Sequence, residues 1–233
     1  MKNMFIYAYF VKEVIKSIPE KRRISKLKDP IMQKKESFLF AQRTCRRIFE
    51  KIGVTIDISG MDNVPYEKDV VFVSNHQGNF DILALLVSSP IPISFISKKE
   101  LKKLPVISGW MELIDCVFID RKKGKESILL LKRLFHNYHN QSAFVLFPEG
   151  TRSKSSTLNP FKKGGLKVAL STEVQVVPIT IDGTYLIMEE NQNKIKPAHV
   201  RVHFHPPMRQ EKMSTDVFIE EIRGTIQGKL ETF

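Results

Sequence analysis

The sequence predicts an α/β fold, a mixed, largely parallel sheet flanked by helices and preceded by two N-terminal helices, and three observations predict it. Short apolar runs rich in β-branched and aromatic residues recur at residues 70–74, 93–97, 116–119, 143–147, 174–181 and 200–204. Helical patterns separate them at residues 82–87, 101–113, 127–138 and 166–170. Such alternation covers a sheet with helices and favours parallel pairing. The first 53 residues hold no strand-like run, only two longer stripes at helical spacing, so the chain divides into a helical module over residues 1–53 and an α/β domain over residues 54–233.

The first helix begins in the run Met4, Phe5, Ile6, Tyr7, Ala8, Tyr9, Phe10 and Val11, which Val14, Ile15 and Ile18 continue at helical spacing. A bilayer span needs about 20 apolar residues, so this run is too short to cross one. Lys2 is its only early basic residue and no small-residue cleavage site follows, unlike an export signal. Charge is concentrated here: of the formal +12, residues 1–51 contribute 14 Lys or Arg against 5 Asp or Glu, a net +9. A basic arm follows either nucleic-acid phosphates or anionic headgroups. The apolar stripe favours the second, an amphipathic helix in a membrane interface with Lys21, Arg22 and Arg23 behind it and no nucleic-acid partner. A helix packed on the protein's own core is the alternative.

A second helix covers residues 33–52, where Phe38, Leu39, Ala41, Cys45, Ile48, Phe49 and Ile52 recur every three or four positions and Gly53 ends it. Pro19 and Pro30 bracket a basic linker between the two helices. At 233 residues and 42% hydrophobic content the chain buries a substantial core. Its two cysteines, Cys45 and Cys116, support neither a disulfide framework nor a cysteine metal site.

The strand at residues 70–74 runs directly into Asn75, His76, Gln77, Gly78, Asn79, Phe80 and Asp81, and an apolar helix begins at once after Asp81. A His and an Asp five positions apart point away from each other on a helix or a strand, so only a turn joins them, and Gly78 supplies one. Joined, the carboxylate holds the Nδ1 proton and leaves Nε2 as a base for a hydroxyl. No Gly-x-Ser-x-Gly sequence provides a nucleophile elbow, which makes direct attack by a bound alcohol on an activated acyl group the simpler chemistry. Asp81 also reads as a helix N-cap. A second strand end carries Phe147, Pro148, Glu149, Gly150, Thr151 and Arg152, where a guanidinium grips phosphate oxygens, glycine allows close approach, and the carboxylate accepts from hydroxyls or positions the arginine.

His203 and His205 share a strand face, but no third metal ligand is evident and no metal is expected. His136 and His139 suit a helix C-terminus. Trp110 and Met111 read as packing residues, and Lys162-Lys163-Gly164-Gly165 lacks P-loop spacing.

Asn75-His76 with Asp81, Val117-Phe118-Ile119-Asp120-Arg121, Phe147-Pro148-Glu149-Gly150-Thr151-Arg152 and Val177-Pro178-Ile179 resemble the four ordered blocks of the glycerolipid acyltransferases, in particular the 1-acyl-sn-glycerol-3-phosphate acyltransferases. The resemblance covers residues 70–182 and implies transfer of a fatty acyl group from acyl-CoA or acyl-carrier protein to the sn-2 hydroxyl of lysophosphatidic acid, with no cofactor. It implies His76 as base, Asp81 as its orienting partner, Arg121 and Arg152 as phosphate ligands and Glu149 in the acceptor site with Gly150 and Thr151. Ser97-Lys98-Lys99-Glu100-Leu101 resembles a basic segment of the family, so either Lys98 or Lys99 joins the site. Two N-terminal helices attach such enzymes to a membrane, here expected on the cytoplasmic face without a full span. Asp115-Cys116 stands where the family often has a small residue such as glycine, which leaves glycerol 3-phosphate or another lysophospholipid open as acceptor.

Overall fold

A computed structural model describes residues 2–66, 70–120, 124–136, 143–172 and 174–233. It holds seven strands, β1 (Thr55–Ser59), β2 (Val70–Ser74), β3 (Ile93–Lys98), β4 (Val117–Ile119), β5 (Ala143–Leu146), β6 (Gln175–Asp182) and β7 (His199–Phe204), in one sheet ordered β1-β7-β6-β2-β5-β3-β4. Every neighbouring pair is parallel except β6–β7, so the sheet is mixed and mostly parallel, as the alternation predicts.

Alternation along the strands divides the core between the two faces. Val70 and Phe72 of β2 and Ala143 and Val145 of β5 join α3 (Pro30–Ile52) and α4 (Asp81–Ser88) on one face. Val71, Val73, Phe144 and Leu146 face α6 (Gly124–His136), α7 (Lys163–Leu170) and α8 (Thr215–Thr232) on the other. Phe38, Cys45, Phe49 and Ile52 place α3 in the same core as the sheet. Burial pushes the thiols of Cys45 and Cys116 up to about 12, which leaves both unreactive.

The two long N-terminal helices are present as the sequence predicts, and the basic linker between them is itself helical. Between α1 (Lys2–Lys16) and α3 lies a third helix, α2 (Ile18–Ile24), built from that linker. Pro19 sits in its first turn, where a missing N–H costs nothing, and Arg23 pairs with Glu20 at 2.7 Å. α3 starts three residues earlier than its apolar stripe, because the Asp29 carboxylate accepts from the Ile31 amide at 2.9 Å and Pro30 opens the helix. Gly53 ends it with φ 86°, as its position predicts. Among the described residues no helix is long and apolar enough to cross a membrane.

The helical pattern at residues 101–113 is broken. A 3-10 turn at Lys99–Lys103 and α5 (Ile107–Leu113) are separated by Pro105 and by Val106, whose φ is 64°. Trp110 in α5 is a packing residue, stacked on Phe40 with ring centroids 4.6 Å apart and donating from Nε1 to Ser17 Oγ at 2.8 Å.

His203 and His205 pack edge to face with ring centroids 4.6 Å apart, and each has its own hydrogen bond at 2.8 Å, His203 with Ser59 Oγ and His205 Nε2 with Thr180 Oγ1. Burial, with His203 and Lys229 nearby, pushes the His205 imidazole down to about 4. The unfolded chain protonates this ring near pH 6.5, so between 6.5 and 4 the unfolded state binds more protons and stability falls as pH falls. Urea unfolding is expected to show wild type losing on the order of 2–3 kcal/mol from this group across that window, and His205→Gln a visibly flatter profile. An equally steep profile in the variant would contradict the assignment. Lys162 precedes α7 as its N-cap. His139 lies outside the described residues.

Candidate active site

β2 and β5 are adjacent and parallel, so the loops leaving their C-terminal ends meet at one edge, where ligands of open α/β sheets bind. His76 follows β2 and Glu149 follows β5. Asn75 anchors the first loop to β6 through two 2.8 Å hydrogen bonds, its amide donating to the Ile181 carbonyl and its carbonyl accepting from the Ile181 N–H.

The turn at Gly78 brings His76 and Asp81 together, Nδ1 to Oδ2 at 2.6 Å. Asp81 is fully buried at the start of α4, whose N-terminal dipole favours its negative charge. Its Oδ2 also accepts from the Gly78 amide at 3.0 Å, and its Oδ1 accepts from the Thr184 hydroxyl. With the Asp81 oxygen as acceptor, Nδ1 is the donor of this bond, a tautomer that leaves the lone pair on Nε2. The N-cap position itself belongs to Phe80, and the Asp81 carboxylate reaches back to the loop instead. The His76 side chain stays 19% exposed and stacks on Phe147 with centroids 4.2 Å apart. Ser74 is no nucleophile: it is fully buried in β2, its hydroxyl donating to the Asn75 carbonyl at 3.0 Å.

Glu149 serves the His76 backbone. Its Oε1 accepts from the His76 N–H at 2.6 Å and its Oε2 from the Asn159 N–H at 3.0 Å. Burial raises its pKa, and these two amides pull it back toward the charged form. Each oxygen thus holds a backbone amide, and the carboxylate paired with Arg152 is a different one, Glu189. Arg152 Nη1 donates to Glu189 Oε1 at 3.1 Å, and the Asn79 N–H donates to the same oxygen at 2.8 Å. Glu189 therefore ties the arginine to the His76 loop. A Cβ on Gly78 would lie 2.7 Å from Glu189 Oε2, so a larger residue there would have to displace that carboxylate.

Gly150 has φ 69° and turns the chain at the end of β5, while Thr151 is exposed on that turn. Lys98 and Lys99 are exposed at the end of β3, two strands from β2, and Lys99 pairs with Asp120 at 3.6 Å. Arg121 lies outside the described residues. Thr184 and Glu189 carry no local signal in the sequence, being 103 and 110 positions from the partners they meet in the His76 loop.

Beside this loop lies an apolar cavity of about 550 Å³. Asn79, Phe80 and Leu83 form its wall next to His76, and α1, α3 and α5 contribute Phe10, Cys45 and Met111. The volume falls within the roughly 300–1,000 Å³ of ordinary ligand pockets.

A family model described as acyltransferase matches residues 55–182. The chain is 38% identical over 172 residues to a chloroplastic 1-acyl-sn-glycerol-3-phosphate acyltransferase of Brassica napus, 73% of this chain and 49% of that protein. It is 37% identical over 178 residues to the chloroplastic 1-acyl-sn-glycerol-3-phosphate acyltransferase LPAT1 of Arabidopsis thaliana, again 49% of the relative and 76% of this chain. The chain thus spans about half the length of these curated relatives. Its fold matches the crystal structure of the 1-acyl-sn-glycerophosphate (LPA) acyltransferase PlsC from Thermotoga maritima with TM-score 0.87 at 24% identity, over 99% of this chain and 95% of that one.

Proposed function

The chain belongs to the acyltransferase family whose model it matches over residues 55–182, and on that premise we propose that it moves a fatty acyl group from a thioester to the sn-2 hydroxyl of lysophosphatidic acid, forming phosphatidic acid. The names of its relatives support the acceptor. The observation that carries the chemistry is the His76–Asp81 pair, with Nδ1 held at 2.6 Å by a buried carboxylate and the ring still part-exposed beside an apolar cavity.

In this reading Nε2 takes the proton of the acceptor hydroxyl as its oxygen attacks the thioester carbonyl. A C–O bond forms, the C–S bond breaks, and the imidazolium returns its proton to the departing thiolate. Acyl-CoA and acyl-carrier protein both supply such a thioester. The cavity takes the acyl chain. Glu149 fixes the His76 backbone, and Arg152 binds the acceptor phosphate with a cation from the end of β3, Lys98 or Lys99, and with Arg121. The exposed Met4, Phe5, Val11 and Ile15 support placing α1 in the interface of a membrane, here its cytoplasmic face.

Arg152→Ala is expected to raise KM for lysophosphatidic acid about 10- to 100-fold, the worth of charge-assisted bonds to one phosphate, with a smaller change in kcat. Glu189→Gln, which keeps shape but loosens Arg152, should raise the same parameter less. Steady-state kinetics in detergent micelles with lysophosphatidic acid and with lysophosphatidylcholine tests both the residue and the function. Product from the first acceptor alone supports recognition of a terminal phosphate monoester by this site. Equal use of both, or an unchanged KM in Arg152→Ala, would contradict it.

A further inference from the structure

The cavity has two walls that reach solvent. One is α1, whose Tyr7, Phe10 and Val14 line it while Met4, Phe5, Val11 and Ile15 are exposed. The other is the stretch of residues 98–107, where Leu101, Leu104 and Ile107 line the same cavity and are nevertheless 37%, 41% and 41% exposed. Lys98 and Lys99 before these apolar side chains and Lys102 and Lys103 among them are all exposed; Glu100 is the one acidic residue of the stretch, and Lys99 and Lys102 also reach Asp120 and Glu112 at 3.6 and 3.8 Å. Behind them α5 is joined to the junction of α1 and α2, where Trp110 donates to Ser17 Oγ and the ammonium end of Lys21 lies against Gly109.

Three large apolar side chains left in water at the rim of a cavity, alongside four lysines, match the layering of a leaflet. Apolar groups meet acyl chains while long cationic stems reach the headgroups. We propose that residues 98–107 form a second bilayer contact which, with α1, sets the cavity mouth against the acyl layer of an anionic leaflet. A lipid acceptor then enters sideways from the bilayer, and its phosphate stays at the level of the lysines. This rests on the reading of α1 as interfacial and extends it to an element outside the N-terminal helices.

The test is an environment-sensitive fluorophore at Leu104→Cys in the full chain. Cys45 and Cys116 are buried, so labelling is selective. Val217→Cys, exposed on α8 over the opposite face of the sheet, is the control position. With phosphatidylcholine vesicles containing phosphatidylglycerol, the label at position 104 is expected to shift to the blue and to be quenched by brominated acyl chains, while the label at 217 stays unchanged. Replacing Lys102 and Lys103 with glutamine should weaken binding to these vesicles about 10- to 30-fold, from the contribution of each basic residue near an anionic surface.

A protein that co-sediments with vesicles while the label at 104 still reports water would overturn the second contact and leave the α1 reading intact. Failure to co-sediment at all would overturn both. A response to acyl-carrier protein but not to vesicles would reassign this surface to the donor. Turnover in detergent micelles, which needs no bilayer docking, separates each of these outcomes from failure of the enzymatic reading.

Discussion

His76→Ala is expected to lower kcat for phosphatidic acid formation by about 10²–10⁴-fold, the range general-base catalysis supplies. The fold should survive, because the ring is part-exposed and its main packing partner is Phe147. Asp81 keeps hydrogen bonds from Gly78 and Thr184 when the imidazole is gone, so no buried charge is left without donors. Co-sedimentation with vesicles and the urea midpoint are therefore expected to stay close to wild type while turnover collapses. Activity within a few-fold of wild type would remove His76 from the mechanism.

Asp81→Asn should cost a similar 10²–10⁴-fold in kcat for a different reason. An amide that turns its NH2 toward His76 forces Nδ1 to accept, which moves the ring proton to Nε2 and blocks the base. Turned the other way, its oxygen keeps His76 and Gly78, and the Thr184 hydroxyl must accept from the NH2 instead of donating. The first arrangement sets the NH2 against the Gly78 N–H and leaves a buried donor poorly paired, at about 1–3 kcal/mol. Loss of both kcat and urea stability is thus expected, in contrast to His76→Ala. Thr184→Val, which removes one of the three donors and leaves the imidazole in place, should lie between wild type and Asp81→Asn. Full activity in Asp81→Asn would contradict the tautomer argument.

The parts of this site that were readable from the sequence are those in which one strand runs straight into its chemistry. Val70 to Phe80 is such a stretch, and the glycine that lets His76 meet Asp81 sits within it. β6 is readable as a buried apolar run, and β7 from the alternation of Val200, Val202 and Phe204 with Arg201 and His203. β1 was not: Thr55, Asp57 and Ser59 are exposed on an edge strand, leaving only Ile56 and Ile58 as apolar signal. α8 was missed because Gly224 and Gly228 weaken a stripe that Phe218, Ile219, Ile222 and Ile226 nonetheless bury completely. The break at Pro105 and Val106 hides in an apolar run whose period suits a single helix. Thr184 and Glu189 come from the segment after β6, and only the sheet order, which sets β6 beside β2, carries them to the His76 loop. Glu149 illustrates the limit of motif reading, since the motif brings a carboxylate near an arginine in sequence while the fold turns that carboxylate onto the His76 backbone.

The most direct test of the central claim is thiol release from an acyl thioester by the purified protein, followed alongside phosphatidic acid, with and without lysophosphatidic acid. The account predicts release that requires the acceptor, matches product one for one and leaves no acyl group on the protein by intact-mass measurement. Release at the same rate without acceptor, or a stable acyl adduct on the chain, would contradict direct attack by the acceptor hydroxyl activated at His76.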